Sequence, residues 1–152
     1  MRKKLRAAVA TTATTIAMIV VAFSAGCDRS GDAGKGLKAV VEGPFTTKPT
    51  ETSIPPAPEK VAPDTAEFFV TWAMKSASSG DKVQAVLTAV DVGAAAPPSS
   101  EVLRNEVTVP DDGDHWGNFT FKKPTAGWPA GTYQVDVSHG AERIGSVAFR
   151  IE

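Results

Sequence analysis

From residue 65 onward the chain carries short runs in which apolar and polar residues alternate with period two, and no helical period is present. Phe68, Val70, Trp72 and Met74 alternate with Phe69, Thr71, Ala73 and Lys75. After the loop Ser78-Ser79-Gly80-Asp81 comes a run over 82–92, whose phase is ambiguous because Val86 and Leu87 are adjacent apolar residues. A bulge, or burial on both faces, accounts for that pattern. Residues 93–100, with Pro97-Pro98, read as a loop. Leu103, Val107 and Val109 then oppose Arg104, Glu106 and Thr108, and Pro110-Asp111-Asp112-Gly113-Asp114 reads as a turn. Phe119 and Phe121 alternate with Asn118, Thr120 and Lys122. Tyr133, Val135 and Val137 alternate with Thr132, Gln134 and Asp136. His139-Gly140 marks a hairpin turn before a final run through Val147, Phe149 and Ile151. Turn signals recur at intervals of roughly 8–15 residues, the spacing of an antiparallel sandwich or barrel. Six strands are predicted over 65–152. A chain of that size buries roughly 60–70% of its unfolded surface, enough for one core without disulfides.

The pattern upstream is different. Residues 28–36 are polar and Gly-rich, and 46–63 hold Pro49, Pro55, Pro56, Pro58 and Pro63 among Thr, Glu and Lys. Such composition offers little apolar surface to offset ordering entropy, and its prolines favour an extended chain. This predicts a spacer. One patch interrupts it: Leu37-Lys38-Ala39-Val40-Val41-Glu42-Gly43-Pro44-Phe45 is apolar enough for a seventh strand. Its Gly-Pro break suits a sheet edge better than a centre.

The N-terminus places four cations in six residues, Met1-Arg2-Lys3-Lys4-Leu5-Arg6, and then no charge from 7 to 26. The apolar centre is Ile16-Ala17-Met18-Ile19-Val20-Val21-Ala22-Phe23, followed by Ser24-Ala25-Gly26 and Cys27. A basic segment, an apolar segment and a small-residue zone form the layout of a secretory signal peptide. Ser24-Ala25-Gly26-Cys27 resembles the lipobox of bacterial lipoproteins, although Ser24 stands where that family usually carries Leu, Ile or Val. The resemblance implies cleavage before Cys27, diacylglycerol on its thiol and anchorage in a bacterial cell membrane, facing the periplasm or exterior. Two acyl chains on one residue suffice for stable anchoring. The uncharged run is also long enough to be an uncleaved membrane span, or an ordinary signal peptide cut elsewhere. The expected organisation is a signal peptide over 1–26, an acylated Cys and Pro/Gly-rich tether over 27–64, and one β domain over 65–152.

Cleavage would change the charge balance. The whole chain has 16 basic and 17 acidic residues, a net charge of −1. Residues 1–26 hold four of the cations and no acids, so the mature chain keeps 12 basic against 17 acidic groups, a net of −5. An acidic exported chain gives no reason to expect nucleic acid as a partner. With one Cys, an internal disulfide and a multi-thiolate metal site are both excluded.

Gly127-Trp128-Pro129-Ala130-Gly131-Thr132-Tyr133-Gln134-Val135-Asp136-Val137 carries the most specific local motif in the domain. It resembles the segment entering strand F of immunoglobulin-like domains. The chain is similar to small bacterial lipoproteins with one Trp-Pro-x-Gly-x-Tyr domain near the C-terminus. The resemblance implies an all-β, immunoglobulin-like antiparallel sandwich of six or seven strands. In it Tyr133 would bond back to upstream backbone, Gly131 would permit a tight turn, and Trp128 and Pro129 would shape the corner.

Candidate chemistry is sparse. Asp111, Asp112 and Asp114, with Asn118, are oxygen donors of the kind calcium takes, but their spacing is not that of an EF-hand, and an exposed turn explains them equally. His115 and His139 alone make an incomplete metal site. Ser78, Ser79, Ser99 and Ser100 lie outside any nucleophile-elbow pattern. Asn118-Phe119-Thr120 fits a glycosylation sequon but reads as an outward strand position. Phe69, Trp116 and Trp128 are out of phase or in loops, and are either partner anchors or covered aromatics. No catalytic, cofactor or metal residue is assigned. The expected function is a non-catalytic binding or accessory module, tied to the membrane through Cys27 and serving an envelope protein partner. A protease-inhibitor-like or ligand-sequestering domain with a protruding 93–100 loop is the alternative, and an enzyme is a third reading.

Overall fold

The computed structural model describes residues 39–152. Ser24, Ala25, Gly26 and Cys27 lie outside the described residues, as does the first part of the expected spacer.

The described chain is all-β. Its strands are β1 (Ala39–Phe45), β2 (Lys60–Val61), β3 (Glu67–Ala77), β4 (Lys82–Asp91), β5 (Ser100–Thr108), β6 (Gly113–Lys122), β7 (Gly131–His139) and β8 (Glu142–Ile151). They form two sheets, one ordered β1-β3-β6 and one ordered β2-β8-β7-β4-β5. The β2–β8 pair is parallel and the other pairs are antiparallel.

Period-two alternation explains how the sheets meet. Phe68, Val70, Trp72 and Met74 of β3 and Phe119 and Phe121 of β6 are buried on one inner face. Val83, Ala85, Leu87 and Ala89 of β4 are buried on the other, with Tyr133, Val135 and Val137 of β7 and Val147, Phe149 and Ile151 of β8. All of them belong to one apolar cluster. Phe68 sits at its centre. Its ring lies 5.1 Å from Phe121 in its own sheet, 5.1 Å from Phe149 in the other and 5.3 Å from Trp128. Each buried Val, Leu, Ile, Phe or Met side chain contributes roughly 1.5–3 kcal/mol.

The ambiguous phase of β4 has two physical sources. Leu87 faces the core while Val86 is half-buried on the outer face, and the register with β5 shifts between Leu87 and Thr88.

Before residue 65 the chain does more than span a distance. Ala39–Phe45 pairs with β3, so the apolar patch is a seventh long strand. Pro44 and Phe45 at its end and Pro49 beyond it are buried, and Asn118 Nδ2 donates to Pro49 O at 3.0 Å. Thr71 Oγ1 donates to Glu42 O at 3.3 Å. These groups cover the outer face of β3, which is why Phe69 and Thr71 are buried along with the inward set. The chain then adds β2, where Val61 is fully buried, Glu152 N donates to Val61 O at 3.1 Å, and Lys60 pairs with Glu152. β1, Pro49 and β2 thus tie the segment expected as spacer into the folded body at three places.

Candidate functional site

The Trp128–Tyr133 corner forms one end of the core. Tyr133 is 1% exposed, and its hydroxyl donates to Pro129 O at 2.8 Å, four residues upstream. Burial raises its phenol above the ordinary value. Trp128 is also buried, and its Nε1–H donates to Thr65 O at 2.9 Å, tying the entrance of β3 to the corner. Its ring meets Tyr133 edge-on, with centroids 6.4 Å apart. Gly131 has φ of 154°, and a Cβ there would run into Asp91 O and Val92. Trp128, Gly131 and Tyr133 thus close this end of the core through these contacts. Beside them lies an apolar pocket of about 270 Å³ lined by Val92, Val102, Pro129 and the two aromatic rings.

The acidic turn and the 76–79 loop satisfy one another. Asp114 Oδ1 accepts from Ser76 N at 3.1 Å, where Ser76 holds a left-handed φ of 57°. Asp112 Oδ1 accepts from Ser79 N at 2.7 Å, and Asp81 Oδ2 accepts from Ser78 N at 2.9 Å. The Ser78 amide, and after it His139, hold the Asp81 carboxyl below its usual range against partial desolvation. These carboxylates bind backbone amides and do not converge on a point. No group of three or more His, Cys, Asp or Glu able to hold a metal occurs among the described residues.

The histidines have separate partners. His139 Nε2 lies 3.0 Å from Asp81 Oδ2, and His115 Nε2 lies 3.2 Å from Asp111 Oδ1. Ser78 acts through its amide, and Ser79 through both its amide and its Oγ, which donates to Pro110 O at 3.0 Å. Ser100 Oγ donates to Pro97 O at 2.6 Å, and Ser99 N donates to Val90 O at 3.1 Å. No serine hydroxyl pairs with a histidine in these contacts; the Ser78 amide and the His139 ring meet only at Asp81 Oδ2. The 93–100 loop closes on itself through a 3-10 turn at Gly93–Ala95, with Ala95 N donating to Val92 O at 3.3 Å.

Of the three aromatics in question, Phe69 and Trp128 are covered and Trp116 is half-buried. Trp116 lines a feature that alternation does not reveal, a cleft of about 470 Å³ between β6 and the last residues of β5. Trp72 forms its floor. The Trp72 indole lies over Gly117, where a Cβ would come within 2.9 Å of the ring. A glycine inside a strand, directly across from a tryptophan, was the one sequence signal for this close approach.

No protein-family model matches the chain, and no curated protein matches it. Among solved structures, Pseudomonas fluorescens alkylpurine DNA glycosylase AlkC, bound to DNA containing an abasic site analog, aligns with a TM-score of 0.50 and 12% identity. That alignment covers 77% of this chain and 31% of the glycosylase. A Listeria innocua β-glucosidase in complex with isofagomine aligns at a TM-score of 0.47 and 13% identity, over 76% of this chain and 16% of the enzyme. The chain thus spans less than a third of either protein, and the likeness to the glycosylase is one of fold alone.

Proposed function

We propose that this chain is a bacterial lipoprotein anchored through diacylglycerol on Cys27, and that its β domain is an immunoglobulin-like sandwich serving as a non-catalytic binding or accessory module in the cell envelope. The observation that carries the anchor is positional. The chain's one Cys directly follows Ser24-Ala25-Gly26, at the end of a 20-residue uncharged run that begins after four cations. The immunoglobulin-like reading is supported by the β1-β3-β6 and β2-β8-β7-β4-β5 sheet orders and by the Tyr133–Pro129 bond. The accessory role is favoured over catalysis because the acidic turn and the loop serines are engaged with backbone amides and carbonyls or with one another, and each histidine with one carboxylate. It is favoured over an inhibitor because the 93–100 loop is a closed turn and not an extended reactive segment. The partners in this reading are the membrane and another envelope protein, with no nucleic acid.

Substitution of the thiol tests the reading. Cys27→Ser should abolish lipid labelling and leave the leader uncut. A Cys27→Ser chain that is processed and released like an ordinary secreted protein would overturn lipid anchorage.

A further inference from the structure

The hydrogen-bonding parity of the strands shows which backbone groups are left over. Lys123 N donates to Ala66 O at 2.8 Å, in line with the Glu67↔Lys122 register. Odd-numbered residues of β6 therefore bond to β3. Trp116, Asn118 and Thr120 turn their N–H and C=O groups to the other side, where no described strand pairs with them. One of these groups is occupied: Asn105 Nδ2, reaching from β5, donates to Thr120 O at 3.1 Å. A β5 side chain thus takes one bonding place that no described strand fills.

The other sheet edges are protected. β1 carries Pro44, β2 is two residues long, and β5 carries Glu101, Arg104 and Glu106 along its length. Proline, shortness and charge are the usual devices against unwanted pairing. The stretch Trp116-Gly117-Asn118-Phe119-Thr120 has none of them. It opens into the cleft floored by Trp72 and roofed by Val107, which remains 38% exposed on the inner side of β5. The ends of β6 are oppositely charged. Asp111, Asp112 and Asp114 are exposed at its start, and Lys122 and Lys123 are exposed at its end.

We propose that the β6 edge is a docking slot for an extended peptide segment of a partner protein, which adds to the three-stranded sheet as a fourth strand. The free groups of Trp116 and Asn118 supply the ladder bonds. Alternate side chains of the segment enter between Trp72 and Val107 and must be apolar. The charge pattern fixes direction: the segment carries a basic residue near Asp111–Asp114 and an acidic one near Lys122 and Lys123. Main-chain pairing of this kind gives affinity, and the pocketed side chains give specificity. The proposal rests on the binding-module reading and names its partner class.

The probe is a displayed library of random twelve-residue peptides, selected against the full chain in detergent. Enriched peptides should alternate apolar and polar residues between oppositely charged ends. Val107→Lys should weaken them at least tenfold, while Val40→Lys on β1 should leave them unchanged. The amide resonances of Trp116 and Asn118 should move on binding, a readout that stands even if Val107→Lys folds poorly. Failure to enrich any peptide overturns the slot. So does enrichment of peptides that ignore Val107→Lys and leave those amides unmoved, although such peptides would keep the module reading and relocate its surface. An oligosaccharide that moves these amides where no peptide does also overturns it. Lipidation of Cys27 is indifferent to every one of these outcomes.

Discussion

Tyr133→Phe isolates the corner bond from the packing around it. The ring is retained, so its contacts with Trp128 and Phe149 persist. The change removes one hydroxyl, its 2.8 Å bond to Pro129 O, and nothing else. A neutral bond of this kind is worth about 0.5–1.5 kcal/mol net, and a partner left unsatisfied in the interior adds more. Pro129 is exposed, so water can reach its carbonyl after the change, whereas the space left by the buried hydroxyl stays dry. The expected loss is about 1–2 kcal/mol. For a folded unit of this size that lowers Tm by about 4–8 °C. In urea the midpoint should fall with m unchanged, since no extra surface is exposed. The pH dependence supplies a second check. Burial raises the folded-state phenol pKa above its ordinary value. The stability that the neutral phenol contributes is therefore complete below pH ~10 and is lost as pH rises toward the folded-state value. Phe cannot ionise, so the gap between the two proteins should narrow above pH ~10. A loss below about 0.3 kcal/mol, or a gap that widens in base, would refute this account of the corner.

Other substitutions probe other contacts. Trp128→Phe leaves Thr65 O without its indole donor, and calorimetry should record a loss of about 1–3 kcal/mol. Gly117→Ala forces a methyl against the Trp72 indole. The expected cost is about 1–3 kcal/mol in denaturant, with a change in tryptophan fluorescence. In acid, the depressed Asp81 carboxyl contributes stability that is present above pH ~4 and lost as pH falls through its folded-state value. Asp81→Asn should flatten the acid limb of a stability–pH curve in that range.

Six of the strands were legible because one face of each is apolar and the other polar, the condition under which alternation fixes register. Phe68 to Met74 and Tyr133 to Val137 fall on the core as their spacing demands. What escaped has physical causes. β6 begins at Gly113, within the stretch that reads as a turn, because Asp112 and Asp114 bond across to the 76–79 loop and keep the chain beside β3. β2 is too short to carry a period, and its place depends on Ile151 and Glu152, far along the chain. Pro49, in the Pro-rich stretch, is held against the sheet by Asn118, a pairing 69 residues apart. The β5–β6 cleft depends on two edges that meet only in the folded chain. The Trp-Pro-x-Gly-x-Tyr motif, by contrast, was readable because its defining bond joins residues four apart.

The intact mass of the membrane-associated chain, expressed in a bacterial host, tests the central claim most directly. The account predicts a chain that begins at Cys27 and carries diacylglycerol. A chain that still holds residues 1–26 with an unmodified thiol would contradict it, and the uncharged run would then be a membrane anchor in its own right.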